Sequence, residues 1–207
     1  MVRKSMIRLA VAGTLMACLS ACTILPKGPE LTVYQLPQLP VHAQSAPSNQ
    51  DVLRVAIPYS SNYLNTQRVA VLTPERSLAV MNGIRWEDLS TVVFRDSLIR
   101  AIRSAGIYKS VTNDDTSLGN YVLLSELQDF QVDYTMEPAQ VVVSVDVNLV
   151  DLESSAKRTS TNSRFFSATA PVQSKSNEAV IDAFADANNQ VQQQVIQWLS
   201  TLPRVSR

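Results

Sequence analysis

The side chains able to do chemistry are few in this chain of 207 residues, and their positions limit them further. There is one histidine, His42, and two cysteines, Cys18 and Cys22. Histidine is the usual general base, but it must be held within hydrogen-bond reach of the proton it takes. His42 lies among Pro37, Pro40 and Pro47, in a stretch too loosely built to hold it there. A zinc site of Cys/His type needs several such ligands converging, and the supply is too small. The five glycines (Gly13, Gly28, Gly83, Gly106, Gly119) are too scattered for a phosphate-cradling loop, and no P-loop or dinucleotide spacing occurs. Adjacent carboxylates occur at Glu87/Asp88 and Asp114/Asp115. The first pair suits a helix N-terminus, where the dipole favours negative charge. The second sits in a polar turn. Neither places two carboxylates across a cleft, as glycoside hydrolysis requires. The expectation is a protein without enzymatic activity, metal or cofactor.

Cys22 is the exception, because of what precedes it. Arg3, Lys4 and Arg8 make a basic start, and Leu9 to Leu19 is an uncharged apolar run too short to cross a bilayer as a helix. The run ends in Leu19-Ser20-Ala21-Cys22: an aliphatic residue, two small ones, then a cysteine. This resembles the bacterial lipobox, in which Leu19, Ser20 and Ala21 are read by the signal peptidase and the Cys22 thiol is acylated. An ordinary signal peptide cut near Ala17 to Ala21 is the rival. A buried core helix explains neither the basic flank nor the cysteine at the boundary. Residues 1–21 are therefore read as a leader. Cys18 leaves with it, so the mature chain has no internal disulfide available and must be stabilised by its core.

Removing the leader also changes the charge. The formal net charge is zero, but Arg3, Lys4 and Arg8 are among the 18 basic residues, leaving 15 against 18 acidic, a net of −3. A weakly acidic chain without a Lys/Arg cluster is a poor partner for nucleic acid. It is equally poor at holding an anionic membrane by charge, so acyl chains on Cys22 must do the anchoring. Thr23 follows the cysteine; the absence of Asp there favours the outer membrane over the inner.

Residues 22–50 carry five prolines (Pro26, Pro29, Pro37, Pro40, Pro47) and read as an extended tether. Fully extended, the 28 residues after Cys22 would reach about 90 Å. Within them, Leu31 to Leu36 alternates apolar and polar residues and could pair as an edge strand.

Residues 51–202 read as one folded domain. Val52–Ile57, Arg68–Leu72 and Ser77–Met81 are strands, and Asn82-Gly83 reads as a strand-to-helix turn leading into a helix over Trp86–Ala105, closed by Gly106. On that helix Asp96 and Arg100 have the spacing and order of an ion pair. Asn120–Tyr134 is a long strand whose apolar parity switches, which predicts a bulge near Gln128 and Asp129. Val141, Val143, Val145, Val147 and Leu149 alternate with polar residues in a half-buried antiparallel strand. Ser163–Ala168 is another strand. Asn177–Leu199 is a helix capped by Ser176, with Val180, Phe184, Ala187, Val191, Val195 and Trp198 in a narrow stripe. The order of elements predicts an α+β fold: a single, mostly antiparallel sheet with both amphipathic helices on one face. Trp86 and Trp198 sit on faces that should cover the sheet, although either could instead meet a partner or a lipid. The stripe of the last helix could likewise pair with a second copy, giving a homo-oligomer.

Further segments carry a resemblance. They are Tyr34-Gln-Leu36, Leu53-Arg-Val-Ala-Ile-Pro58 with Tyr63-Leu64, Arg68-Val-Ala-Val71, Gly83-Ile-Arg-Trp86-Glu-Asp-Leu89, Ser104-Ala-Gly106-Ile-Tyr-Lys-Ser-Val111, and the strand of Tyr121 and Phe130. Together with the lipobox they resemble the ABC-type transport auxiliary lipoprotein family, also described as PqiC-like or YmbA-like. The resemblance implies an outer-membrane lipoprotein of the Gram-negative envelope, facing the periplasm. It would be the accessory component of a lipid-transport system, docking an MCE-domain protein that bridges from an inner-membrane permease. The alternative is a structural or self-assembling envelope lipoprotein that supports membrane integrity.

Overall fold

The computed structural model describes residues 31–38, 51–113, 119–152 and 161–202. The leader, Cys22, His42 and Asp114/Asp115 lie outside the described residues. Among the described residues nine strands form one sheet, and two helices cover it. The sheet is organised around one long strand, β7 (Tyr121–Asp133). One edge of β7 pairs along its length with β8 (Gln140–Asp151), and β8 pairs with β9 (Thr161–Pro171), both antiparallel. The other edge is met in succession by β2 (Val52–Val55), β3 (Tyr59–Ser60) and β4 (Arg68–Leu72), all parallel to it. Beyond β4 lie β5 (Leu78–Trp86), antiparallel, and then β1 (Thr32–Tyr34), parallel to β5. Beyond β2 lies β6 (Ser110–Thr112). The sheet therefore forks on one side of β7. Most paired residues belong to the three antiparallel ladders β4–β5, β7–β8 and β8–β9. The parallel ladders are short.

The parity switch in β7 has the expected cause. Its register against β8 shifts between Leu127 and Asp129, so that Leu123, Leu127, Phe130 and Val132 all point into the core. Val141, Val143, Val145, Val147 and Leu149 of β8 face the same way. The two helices, α1 (Ser90–Ala105) and α2 (Asn177–Thr201), pack on this face: α2 lies over β8 and β9, and α1 beside α2. Ser176 caps α2 by accepting a hydrogen bond from the Ala179 N–H at 3.1 Å. Gly106 ends α1 at φ 66°, a left-handed conformation that glycine adopts without strain.

The start of α1 differs from the expectation. Asn82-Gly83 does not turn the chain into a helix; β5 continues through Gly83, at φ 77°, as far as Trp86. Between Arg68 and Ala70 the register of β4 against β5 shifts from Arg85 to Val80, so the left-handed glycine lies in a bulge inside the strand. Ile84 and Trp86 then point inward by strand alternation. Trp86, Leu89 and Val93 also satisfy a helical spacing, which is how the two periods become confused. Tyr63 consolidates the same hairpin. Its hydroxyl accepts from the Val71 N–H at 2.8 Å and is within 2.7 Å of the Val71 and Ala79 carbonyls, to which it donates. Burial pushes this phenol up from its ordinary pKa.

The core centres on four rings. Trp86 lies 5.1 Å from Phe184 in an edge-on contact and 5.5 Å from Phe130, and Phe130 lies 4.9 Å from Phe184. Phe94 of α1 meets Phe130 edge-on at 6.5 Å. Such pairs add about 0.5–1.5 kcal/mol each beyond the area they bury. One polar knot interrupts this apolar layer. Ser97 of α1 and Asn188 and Gln192 of α2 are all buried, and both amides donate to the Ser97 hydroxyl, Asn188 at 2.9 Å.

Candidate interaction surfaces

The candidate sites among the described residues are surfaces and grooves. One groove, about 800 Å³, runs between the stretch after β1 and the first half of α1. Gln35, Leu36, Pro37 and Gln38 form one wall; Glu87, Asp88, Val92, Val93, Asp96 and Arg100 form the other. Leu36 is buried and pins this wall to the core. Gln35 donates to Glu87 at 2.8 Å, and the Gln38 amide reaches the Ser97 carbonyl at 3.5 Å. Glu87 and Asp88 thus lie in the link between β5 and α1, where Asp88 accepts the Leu89 N–H at 2.6 Å. The expected ion pair takes another form: Asp96 is held by its neighbour Arg95 at 2.8 Å, while Arg100 lines the groove. Three carboxylates and one guanidinium make this groove acidic and polar. It suits a cationic or hydrogen-bonding surface better than an acyl chain.

A second groove, about 480 Å³, lies at the end of the sheet where β7 turns into β8. It is lined by Pro74, Tyr134, Met136, Glu137, Pro138, Ala139, Val172, Ser174 and Lys175. A third, about 240 Å³, holds Trp198. Here Arg164 stacks 5.6 Å over the Phe166 ring, and Phe166 meets Trp198 edge-on at 5.6 Å.

Of the two tryptophans considered for contact with a partner or lipid, Trp86 is 0% exposed and offers a partner nothing. Trp198 is 7% exposed and reaches the surface only along this small cavity. The α2 stripe is spent in the same way: Val180, Phe184, Ala187, Val191, Val195 and Trp198 are buried against the chain's own sheet, so they are not free to pair with a second copy. Among the described residues no three His, Cys, Asp or Glu side chains converge as metal ligands, and no helix is long and apolar enough to cross a membrane.

β1 ties the N-terminal segment to both layers. The Tyr34 hydroxyl donates to Glu178 at 2.8 Å, in the first turn of α2. That bond raises the Tyr34 pKa. Glu178 is lowered first by its own backbone N–H and then by the Tyr34 hydroxyl. Nothing in the sequence pairs these two residues, which are 144 positions apart.

This forked sheet with two helices on one face is a known architecture. A crystal structure of a protein from Xanthomonas campestris is 24% identical and superposes with a TM-score of 0.71, over 81% of this chain and 94% of its own. A second crystal structure, described as an uncharacterized protein, is 17% identical with a TM-score of 0.67, over 83% and 99%. A hypothetical protein from Chlamydia trachomatis is 11% identical with a TM-score of 0.52, over 73% and 96%. At these identities the likeness is one of fold. No curated protein matches the chain. The family described as the ABC-type transport auxiliary lipoprotein component matches residues 34–196, from the end of β1 into the last turns of α2. The chain belongs to that family of auxiliary transport components.

Proposed function

We propose that this protein is a non-enzymatic lipoprotein of the outer membrane, anchored by acyl chains on Cys22 after removal of residues 1–21. In this reading it acts on the periplasmic side as the accessory, docking component of an MCE-type ABC lipid-transport system. The observation that carries it is family membership over residues 34–196, which takes in nearly all of the folded unit. The lipobox at Leu19 to Cys22 and Thr23 support the anchor and its membrane. The acidic groove beside α1 is a docking surface of suitable polarity for a protein partner, and the scarcity of catalytic side chains suits an accessory role. The test is purification of the full chain from its native membranes after crosslinking, with outer and inner membranes separated beforehand. An MCE-domain protein and a permease should come down with it, and the protein should sediment with the outer membrane. Recovery without either partner would sink the docking role. A Cys22→Ala chain should lose its acyl mass and leave the membrane fraction; if it stays membrane-bound, the anchor reading is wrong.

A further inference from the structure

β1 is parallel to β5, with Thr32 opposite Ile84 and Tyr34 opposite Trp86. β1 therefore enters the sheet from the end where β5 begins. At that end β4 stops at Leu72 opposite Leu78, β7 stops at Asp133 opposite Leu72, and β8 starts at Gln140 opposite both Asp133 and Pro171. Three connections meet there: residues 73–77, 134–139 and 172–176. Large apolar side chains reach solvent here, with Leu78 at the start of β5 59% exposed, Met136 47% and Tyr134 38%. The 480 Å³ groove opens among them, with Pro74, Pro138 and Val172 in its walls. The charged residues nearby, Glu75, Asp133 and Glu137 against Arg76 and Lys175, leave a small negative excess, so charge would not draw this end to an anionic surface.

Chain length says what covers it. Eight residues lie between Cys22 and Leu31, nine backbone steps that span at most about 32 Å when fully extended. A flexible chain of that length averages about 15–18 Å. Because of the bulge in β5, Leu78 to Arg85 runs opposite only Arg68 to Leu72 of β4, a span of about 13 Å. A membrane holding Cys22 is thus kept within reach of this end of the sheet. We propose that the end bearing Leu78, Tyr134 and Met136 is seated on the bilayer in which the lipidated Cys22 is embedded. This rests on the lipidation proposed above. Leucine and methionine supply apolar area to insert, and tyrosine is at home where hydrocarbon meets headgroups.

The test uses the full lipidated protein reconstituted into phosphatidylcholine vesicles. The mature chain has no cysteine but Cys22, so Met136→Cys carries a polarity-sensitive fluorophore at this end. Leu152→Cys carries one beside Asp151, which pairs with Tyr121 at the opposite end. The expected result is severalfold weaker iodide quenching at 136 than at 152, with brominated lipid quenching only the probe at 136. Adding Leu78→Asp should restore iodide access at 136 while the protein still floats with the vesicles. Equal iodide access at both sites in floating protein overturns this orientation and leaves the anchor intact. Shielding at 136 without quenching by brominated lipid also overturns it, since the cover would then be protein. Failure of the protein to float at all overturns the anchor reading itself.

Discussion

Replacing Ser97 by alanine should cost far more than the loss of one small hydroxyl suggests. Ser97 is 1% exposed, and its Oγ accepts from Asn188 and Gln192, which lie 91 and 95 positions later on the other helix. Both amides are buried, and the Asn188 side-chain oxygen already has no hydrogen-bond partner. Ser97→Ala leaves two buried donors without an acceptor, at about 1–3 kcal/mol each, for a total of about 2–4 kcal/mol once partial relaxation is allowed. For a folded unit of this size that is a fall in Tm of about 5–15 °C. Urea denaturation followed by circular dichroism measures it directly. The same reasoning predicts a rescue. Ser97→Ala combined with Asn188→Leu and Gln192→Leu removes donors and acceptor together and should return to within about 1 kcal/mol of the starting protein. The single changes should also be strongly non-additive, since all three share one oxygen. A loss under about 0.5 kcal/mol for Ser97→Ala, the range of an ordinary surface change, would refute the reasoning. So would a triple variant no better than the single one.

Other outcomes follow from the same structure. The Tyr34–Glu178 bond should make the docking of β1 dependent on pH at both extremes. Glu178 is lowered in the folded state, so its contribution is present above its ordinary pKa and fades as pH falls through the folded value. Tyr34 is raised, so its contribution is present below its ordinary pKa and fades as pH rises through the folded value. Limited proteolysis near residues 31–38 should show slowest cleavage between these limits, and Glu178→Gln should abolish the acid limb. Gly106→Ala forces a side chain into the left-handed cap of α1 and should cost about 1 kcal/mol, read by thermal melting; an unchanged Tm would contradict the cap assignment. Phe184→Ala removes the ring that touches both Trp86 and Phe130 and should cost about 3–5 kcal/mol by chemical denaturation. A cost below about 1 kcal/mol would mean that the cluster does not hold the helix to the sheet.

Local pattern made much of this fold legible. The valine alternation in β8, the parity switch at Gln128 and Asp129 and the Ser176 cap each leave a signal within a few residues of where they act. What escaped depends on distance or on coincidence. The parallel partners of β2, β3 and β4 lie some 60 to 70 residues downstream, and no local pattern encodes them. Trp86 fits a helix and a strand equally well, and only the left-handed Gly83 inside β5 decides between them. Asn188 and Gln192 find their acceptor, Ser97, on another helix, 91 and 95 positions away. The tether was also shortened by the fold. Because β1 is already in the sheet, eight residues lie between Cys22 and Leu31, against the 28 counted for the whole tether. The groove beside α1 needed that same docking to exist, so Glu87 and Asp88 alone could not announce it.

The dependence of β2, β3 and β4 on a single later strand also governs when the domain can exist. As the chain emerges from its N-terminus, residues 51–86 supply three short strands whose shared partner, β7, is not yet made or threaded. The hairpin β4–β5 and helix α1 have until then no sheet on which to bury their apolar faces. Closing loops of this length is slow and entropically costly. The first half of the chain therefore stays open until β7 arrives, while β7, β8 and β9 can zip together as neighbours in sequence. For the exported lipoprotein proposed above, such an order keeps the chain open until the information that completes its sheet has arrived.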